Sequence, residues 1–345
     1  MKYFLILISL LILGACDQKK TDTADSSESS SDKEQTSGEL LIYTGRKPVY
    51  ADPLFEMFTK KTGINIVTKE GKTAELANLL IKEGEYSKAD LFFAQDSSNL
   101  GALSAKGILD KLPEELTGKV APTYRSQKGE WVGTSGRARV LVYNKNKVKA
   151  EELPKSIYDL TDSKWKGRLG WALKNGSFQS HVTAMIQVDG LEKTSKWLKD
   201  MKANDTQNYE KNTPIVKAVA KGEVDAGLVN HYYLFKVRKD MAEAVDAENH
   251  FFADSDMGMF VNISGVALLK NSKNKGNALK FIEFLLSKEA QEFFKEKNYE
   301  YPLASGVEAY KELKPLSSFK PVECSLEDLD NIEKTKKALE DAGCL

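Results

Sequence analysis

The tightest restriction on this chain is a rhythm. From Glu39 onward, short apolar runs alternate with amphipathic stretches. Leu40-Leu41-Ile42-Tyr43, Ile64-Asn65-Ile66-Val67 and Leu91-Phe92-Phe93-Ala94 have the length and residue content of strands. Between them Leu76, Ala77, Leu80 and Ile81 recur at helical spacing behind Thr73, a candidate N-cap. Val140-Leu141-Val142-Tyr143, Gly227-Leu228-Val229-Asn230 and Gly265-Val266-Ala267-Leu268-Leu269 predict further strands, with helices over residues 191–201 and 214–221. Ala278, Phe281, Ile282, Leu285, Leu286, Phe293 and Phe294 form one apolar stripe, which predicts a single strong helix packed on the core. This alternation predicts an α/β chain with a mostly parallel sheet and helices on both faces. At 345 residues the chain is about twice an ordinary domain, so two units are expected.

The ends differ from the body. Lys2 precedes an apolar run over residues 4–13, too short to span a bilayer, which ends at Leu13-Gly14-Ala15-Cys16. That pattern resembles a bacterial lipobox: residues 1–15 are a removed signal and Cys16 carries diacylglycerol, which holds a soluble body at a membrane surface. Residues 16–38 carry Asp, Lys, Ser, Thr, Glu and Gln without a large apolar side chain, and so predict a disordered tether. At the far end, Cys324 and Cys344 are the remaining cysteines. An exported chain permits a bridge between them, pinning a C-terminal helix that turns Leu329, Ile332 and Leu339 inward; two free thiols are the alternative.

Fifty Lys and Arg balance fifty Asp and Glu, so the cationic excess of a nucleic-acid binder is missing. Gly71-Lys72-Thr73 has the end of a phosphate loop but Ile66 where its first glycine belongs. The sequence contains no G-x-S-x-G, H-E-x-x-H or G-x-G-x-x-G pattern, and Ser30-Ser31-Asp32-Lys33 falls in the tether. An exported chain without a nucleophile–base signature reads as a binder, not an enzyme.

Three features remain. Asn230-His231-Tyr232-Tyr233 follows a buried strand, where alternation breaks as a loop begins; two phenols could then converge, or simply pack with their hydroxyls bonded. Lys174-Asn175-Gly176-Ser177-Phe178 closes another strand with the amides and small polar side chains of an anion-binding turn, or of an ordinary one. Ser135-Gly136-Arg137-Ala138-Arg139 leads into a strand and offers arginine to an anion in a cleft, or to solvent.

From about residue 40 to the end, the chain resembles the periplasmic ferric-iron-binding proteins, solute receptors of iron ABC importers. The resemblance rests on Thr62-Gly63-Ile64, Glu70-Gly71-Lys72, Ala89-Asp90-Leu91-Phe92-Phe93, Ser135-Gly136-Arg137, Trp165-Lys166-Gly167, Tyr209-Glu210-Lys211-Asn212, Asn230-His231-Tyr232-Tyr233 and Tyr301-Pro302-Leu303, in that order. It implies a two-lobed Venus-flytrap fold, class II-like, with crossing hinge strands. One lobe is expected over 39–138 plus about 264–312, the other over 139–263 plus about 313–345. It also implies Tyr232 and Tyr233 as ligands of Fe(III), anion contacts at Asn175, Gly176, Ser177, Asn212 and Asn230, and a cleft arginine at Arg137. The implied partners are an ABC permease and its ATPase, with the receptor a monomer at the cell surface or in the periplasm. Ferric ion is a hard acid that prefers oxygen donors, and it can strip a phenol's proton well below the free pKa of about 10.

The first-lobe ligands depart from the family. Its histidine aligns with Lys47, which cannot ligate while protonated, and its glutamate with Gln95, a weak neutral donor. Ferric ion with two phenolates keeps one positive charge and open positions. Carbonate, phosphate or citrate could fill them, held by Lys47, Arg46 and Arg137; Asp96 or Tyr50 could instead substitute as protein ligands. The same departures leave room for another solute, an organic anion such as a phosphonate or sugar phosphate.

Overall fold

The computed structural model describes residues 38–241, 245–329 and 332–345. The expected signal at 1–15, the expected lipidation site Cys16 and almost all of the expected tether lie outside the described residues.

The elements follow in order β1 (Gly38–Thr44), α1 (Pro48–Thr62), β2 (Ile64–Glu70), α2 (Thr73–Glu83), β3 (Leu91–Ala94), α3 (Ser98–Ala105), α4 (Glu114–Thr117) and β4 (Trp131–Asn144). Then come β5 (Leu169–Trp171), α5 (Gly176–Asp189), α6 (Leu191–Ala203), β6 (Gln207–Asn208), α7 (Asn212–Lys221), β7 (Ala226–Asn230), α8 (Tyr232–Asp240) and β8 (Ala247–His250). The chain ends with β9 (Val261–Leu268), α9 (Lys275–Leu285), α10 (Lys288–Asn298), β10 (Tyr301–Pro302) and α11 (Ile332–Asp341).

The strands run β2-β1-β3-β9-β4-β7-β5-β6, with β10 and β8 also paired to β4. Parallel ladders are confined to the outer strands, β2-β1-β3 on one side and β7-β5-β6 on the other. Every ladder of β4 and β9 is antiparallel, so the sheet is more mixed than the alternation predicted. The reason is topological: these two strands return the chain across the sheet, which a strand–helix–strand pattern does not announce.

β4 joins the two halves. Its first part pairs with β9 up to Ala138–Val261, and from Arg139 it pairs with β7, Arg139 opposite Asn230. The Arg139 amide donates to Phe260 O at 2.8 Å at this changeover. The cores flank it. Phe58 on α1 meets Phe281 on α9 edge-on at 5.0 Å, while Trp171, Phe178 and Trp197 cluster at 5.8–6.4 Å around β5, α5 and α6. Gly63, at φ 75°, ends α1 in the left-handed conformation, as the motif Thr62-Gly63-Ile64 suggests.

Three local expectations are corrected. Thr73 is the first residue of α2 and not its cap; its hydroxyl instead accepts from the Gln95 amide at 3.4 Å. The long apolar stripe is two helices, because Ser287 caps α10 through the Ala290 amide and turns the chain between them. Cys324 and Cys344 form no bridge: both thiols are free, and the Cys344 Sγ lies 3.9 Å from Leu198 O. The C-terminal helix is held by packing against α5 and α6, with Leu329 and Leu339 buried as expected. The side chain of Ile332 lies outside the description.

Candidate metal and anion site

The changeover in β4 gathers the site. β7 ends at Asn230, and α8 begins two residues later with Tyr232 and Tyr233. The phenols converge because they open a helix, not because alternation lapses in a loop. Their rings stack with centroids 4.3 Å apart at 28°. His231 fixes this start: the Ala138 amide donates to Nδ1 at 3.1 Å, which leaves Nε2–H to donate to Tyr299 O at 2.7 Å. Burial pushes this imidazole down to about 4, so it is neutral and serves as a brace.

Tyr232 is buried, and its phenol is pushed well above the ordinary value by that burial and by the neighbouring Tyr233; Arg137 pulls the other way. Tyr50, on the first turn of α1, is pushed up to about 12 by burial and by Tyr233. Of the expected first-lobe contacts, Tyr50 is the one that shares its electrostatics with the tyrosine pair. Lys47 is exposed at the start of α1. Asp96 accepts from the Ser98 hydroxyl and the Asn99 side-chain Nδ2 at 2.7 and 2.8 Å, turned to its own loop. Gln95 offers its main-chain carbonyl to Arg137 Nη2.

Of the expected anion contacts, Asn175, Gly176, Ser177 and Asn212 lie at two helix starts. Asn175 caps α5, its Oδ1 accepting from the Ser177 amide at 3.0 Å and hydroxyl at 2.6 Å. Asn212, the first residue of α7, reaches the same hydroxyl at 3.4 Å. A Cβ on Gly176 would meet nothing within 4 Å, so the first turn of α5 faces open space. Asn230 joins through Arg139, whose Nη1 donates to its Oδ1 at 3.2 Å.

Arg139, part of the sequence motif but not singled out there, and three residues missed in the sequence complete the electrostatics. Arg139 is 1% exposed, and burial pushes its guanidinium down to about 10. Lys236 Nζ lies 3.6 Å from the Tyr50 ring centroid and 4.9 Å from that of Tyr232. Burial pushes this ammonium down to about 8. Glu300 receives Arg46 at 3.0 and 2.8 Å and the Ser135 hydroxyl at 2.7 Å. Burial would raise its carboxyl, but Arg46 outweighs it and holds the group at about 2. His181 lies behind Phe178 on α5, stacked on Phe260 at 5.7 Å. Strand parity could have found Arg139, two residues after Arg137; Lys236 follows Tyr232 by one helical turn.

Among the described residues, no group of three or more His, Cys, Asp or Glu could hold a metal. The donors at the crossing are phenols, set among cations and helix starts. A fold of two α/β halves joined by crossing strands, with a polar site at the crossing, defines a two-lobed solute-binding protein. The profile of the bacterial extracellular solute-binding proteins matches residues 86–323. The major ferric iron-binding protein of Neisseria meningitidis is 34% identical over 310 residues, 88% of this chain and 93% of that one. Iron-bound HitA from Pseudomonas aeruginosa superposes with a TM-score of 0.81 at 34% identity, covering 88% of this chain and 99% of that one. The Trichodesmium protein IdiA (FutA), in complex with iron and citrate, gives 0.78 at 34% identity, covering 89% and 100%. The chain belongs to the bacterial extracellular solute-binding proteins and, among them, to the periplasmic ferric-iron-binding family.

Proposed function

We propose that this chain is the lipid-anchored receptor of an iron ABC importer, which captures Fe(III) and delivers it to a membrane permease driven by an ATPase. Tyr232 and Tyr233 bind the metal as tyrosinates, Tyr50 is the first-lobe donor, and an anion (carbonate, phosphate or citrate) fills the remaining positions. Asn175, Gly176, Ser177, Asn212, Asn230 and Arg137 hold that anion. Residues 1–15 are the signal, Cys16 carries the lipid, and residues 16–38 tether a monomeric body. The lobes are 39–138 with about 264–312, and 139–263 with about 313–345.

The observation that carries this reading is the stacked pair Tyr232–Tyr233 beside Tyr50, a hard-oxygen donor set at the crossing of the two halves. It is supported by the iron-bound state of a relative 34% identical to this chain. Titration with ferric citrate should produce a visible tyrosinate-to-iron charge-transfer band, and Tyr232→Phe should abolish it. A colourless wild-type mixture would reject iron.

The cations Arg137, Arg139 and Lys236 favour a second reading, an anionic organic solute bound without metal. Under that reading, phosphorylated solutes raise the melting temperature in the presence of chelator, and ferric citrate does not.

A further inference from the structure

Three guanidinium groups, those of Arg46, Arg137 and Arg139, lie buried near the crossing, and they are treated differently: Arg137 gives Nη2 to the Gln95 carbonyl. Arg46 spends Nη1 and Nη2 on both oxygens of Glu300. Arg139, equally buried, makes no ion pair among the described residues. Its Nη1 donates to the Asn230 amide oxygen, while Nε and Nη2 have no hydrogen-bond partner among the described residues. Those two nitrogens form one edge of the planar guanidinium, with their N–H bonds parallel, the edge that matches two oxygens of one carboxylate or phosphoryl group. A buried cation without a counter-charge is costly, and native structures rarely leave one unanswered.

The surroundings show what the edge serves. The guanidinium carbon lies 5.9 Å from the ring centroid of Phe178, on the first turn of α5. Its charge acts on Tyr232, Tyr233 and His181, and among the described residues His181 Nδ1 also lacks a partner. The guanidinium therefore lies close to both the tyrosine pair and the first turn of α5, the helix that Asn175 caps.

We infer that the free Nε/Nη2 edge of Arg139 is a built receptor for two oxygens of one carboxylate or phosphoryl group, and that this fork selects the anion accompanying the metal. The inference rests on reading the cleft as an anion-assisted metal site, and it deepens that reading. Ferric ion with the three phenolates of Tyr50, Tyr232 and Tyr233 is neutral and Arg139 adds one positive charge, so an anion carrying at least one charge balances the pair. Arg139 is 1% exposed, so the anion reaches it only as the side chains that cover it move.

The test is isothermal titration of the metal-free full-length chain with citrate and with inorganic phosphate, for the wild type, Arg139→Gln and Arg139→Lys. Wild type should bind at least one of the two. Arg139→Gln should weaken that binding by about tenfold or more, and Arg139→Lys, which keeps the charge but lacks the fork, by a similar factor. Melting temperature without anion supplies a second measurement: Arg139→Gln should raise it, since an uncompensated buried charge is removed, whereas loss of a merely structural arginine would lower it. Unchanged anion affinity in Arg139→Gln, full affinity in Arg139→Lys, or a wild type that binds neither anion overturns the inference. The ferric band is read in parallel. Its absence in a wild type that binds anions through Arg139 sinks the iron reading alone. Its presence, with anion binding indifferent to Arg139, sinks the fork alone.

Discussion

At the scale of the residue, the site is a contest between burial and charge. Glu300 shows it most sharply. Its folded pKa of about 2 lies below the ordinary carboxylate value, so its contribution to stability is fully present above about pH 4 and is lost as pH falls toward 2. The size is about 3 kcal/mol. Urea unfolding followed across this range should show that loss, and Glu300→Gln should flatten it. At neutral pH the same variant leaves Arg46 buried without its carboxylate and should destabilise by about 3–5 kcal/mol. The phenols give a second prediction. Each one that ionises on metal binding releases a proton, so ferric affinity should rise by about one decade per pH unit per phenolate. In the proposed site Tyr232 and Tyr233 supply two and Tyr50 the third; competition with a chelator should therefore give a smaller slope for Tyr50→Phe. The tandem tyrosines and the Asn-Gly-Ser turn were legible because their residue types announce oxygen donors and caps. Glu300 was not, because its meaning depends on Arg46, 254 positions away.

At the scale of the element, local periodicity located most strands and helices but not where they stop. The stripe from Ala278 to Phe294 keeps its apolar face through Leu286, so only the capping role of Ser287 separates α9 from α10. The break has a purpose in packing. It allows Gln291, on α10 and fully buried, to donate to Thr134 O and Leu285 O at 2.9 and 2.7 Å. Its Oε1 accepts from the amides of Leu303 and Ala304 at 2.8 and 3.1 Å. One side chain thus ties β4, α9 and the chain after β10 together near the crossing. Gln291→Leu keeps the volume but strands backbone groups that water cannot reach, at about 1–3 kcal/mol each, so a loss of several kcal/mol in denaturant unfolding is expected. A glutamine at an otherwise apolar position was visible in the sequence; the four partners that justify it were not. The same limit explains the unmade bridge. Cysteine count and export suggested a pair, but Cys324 and Cys344 are both free, and denatured protein should titrate both thiols without reductant.

At the scale of the whole molecule, the question is what closes the two halves. A ligand shifts a hinged protein toward closure only through contacts it makes better in the closed state. Asn175, Ser177, Asn212, Asn230 and Arg139, with Tyr232 and Tyr233, all lie on the β5–β8 side of the crossing, so an anion or metal bound by them alone has no reason to close it. Tyr50 belongs to α1, beside β1 and β2, and its charge reaches Tyr233. A metal held by all three phenols therefore gains a donor only when the halves meet. Small-angle scattering should then show a smaller radius of gyration with ferric citrate than with citrate alone. Tyr50→Phe should keep a tyrosinate–iron band from Tyr232 and Tyr233 but lose most of the compaction. Equal compaction in the variant would mean that closure comes from the anion and its cations, and that Tyr50 is a wall of the cleft instead of its clasp.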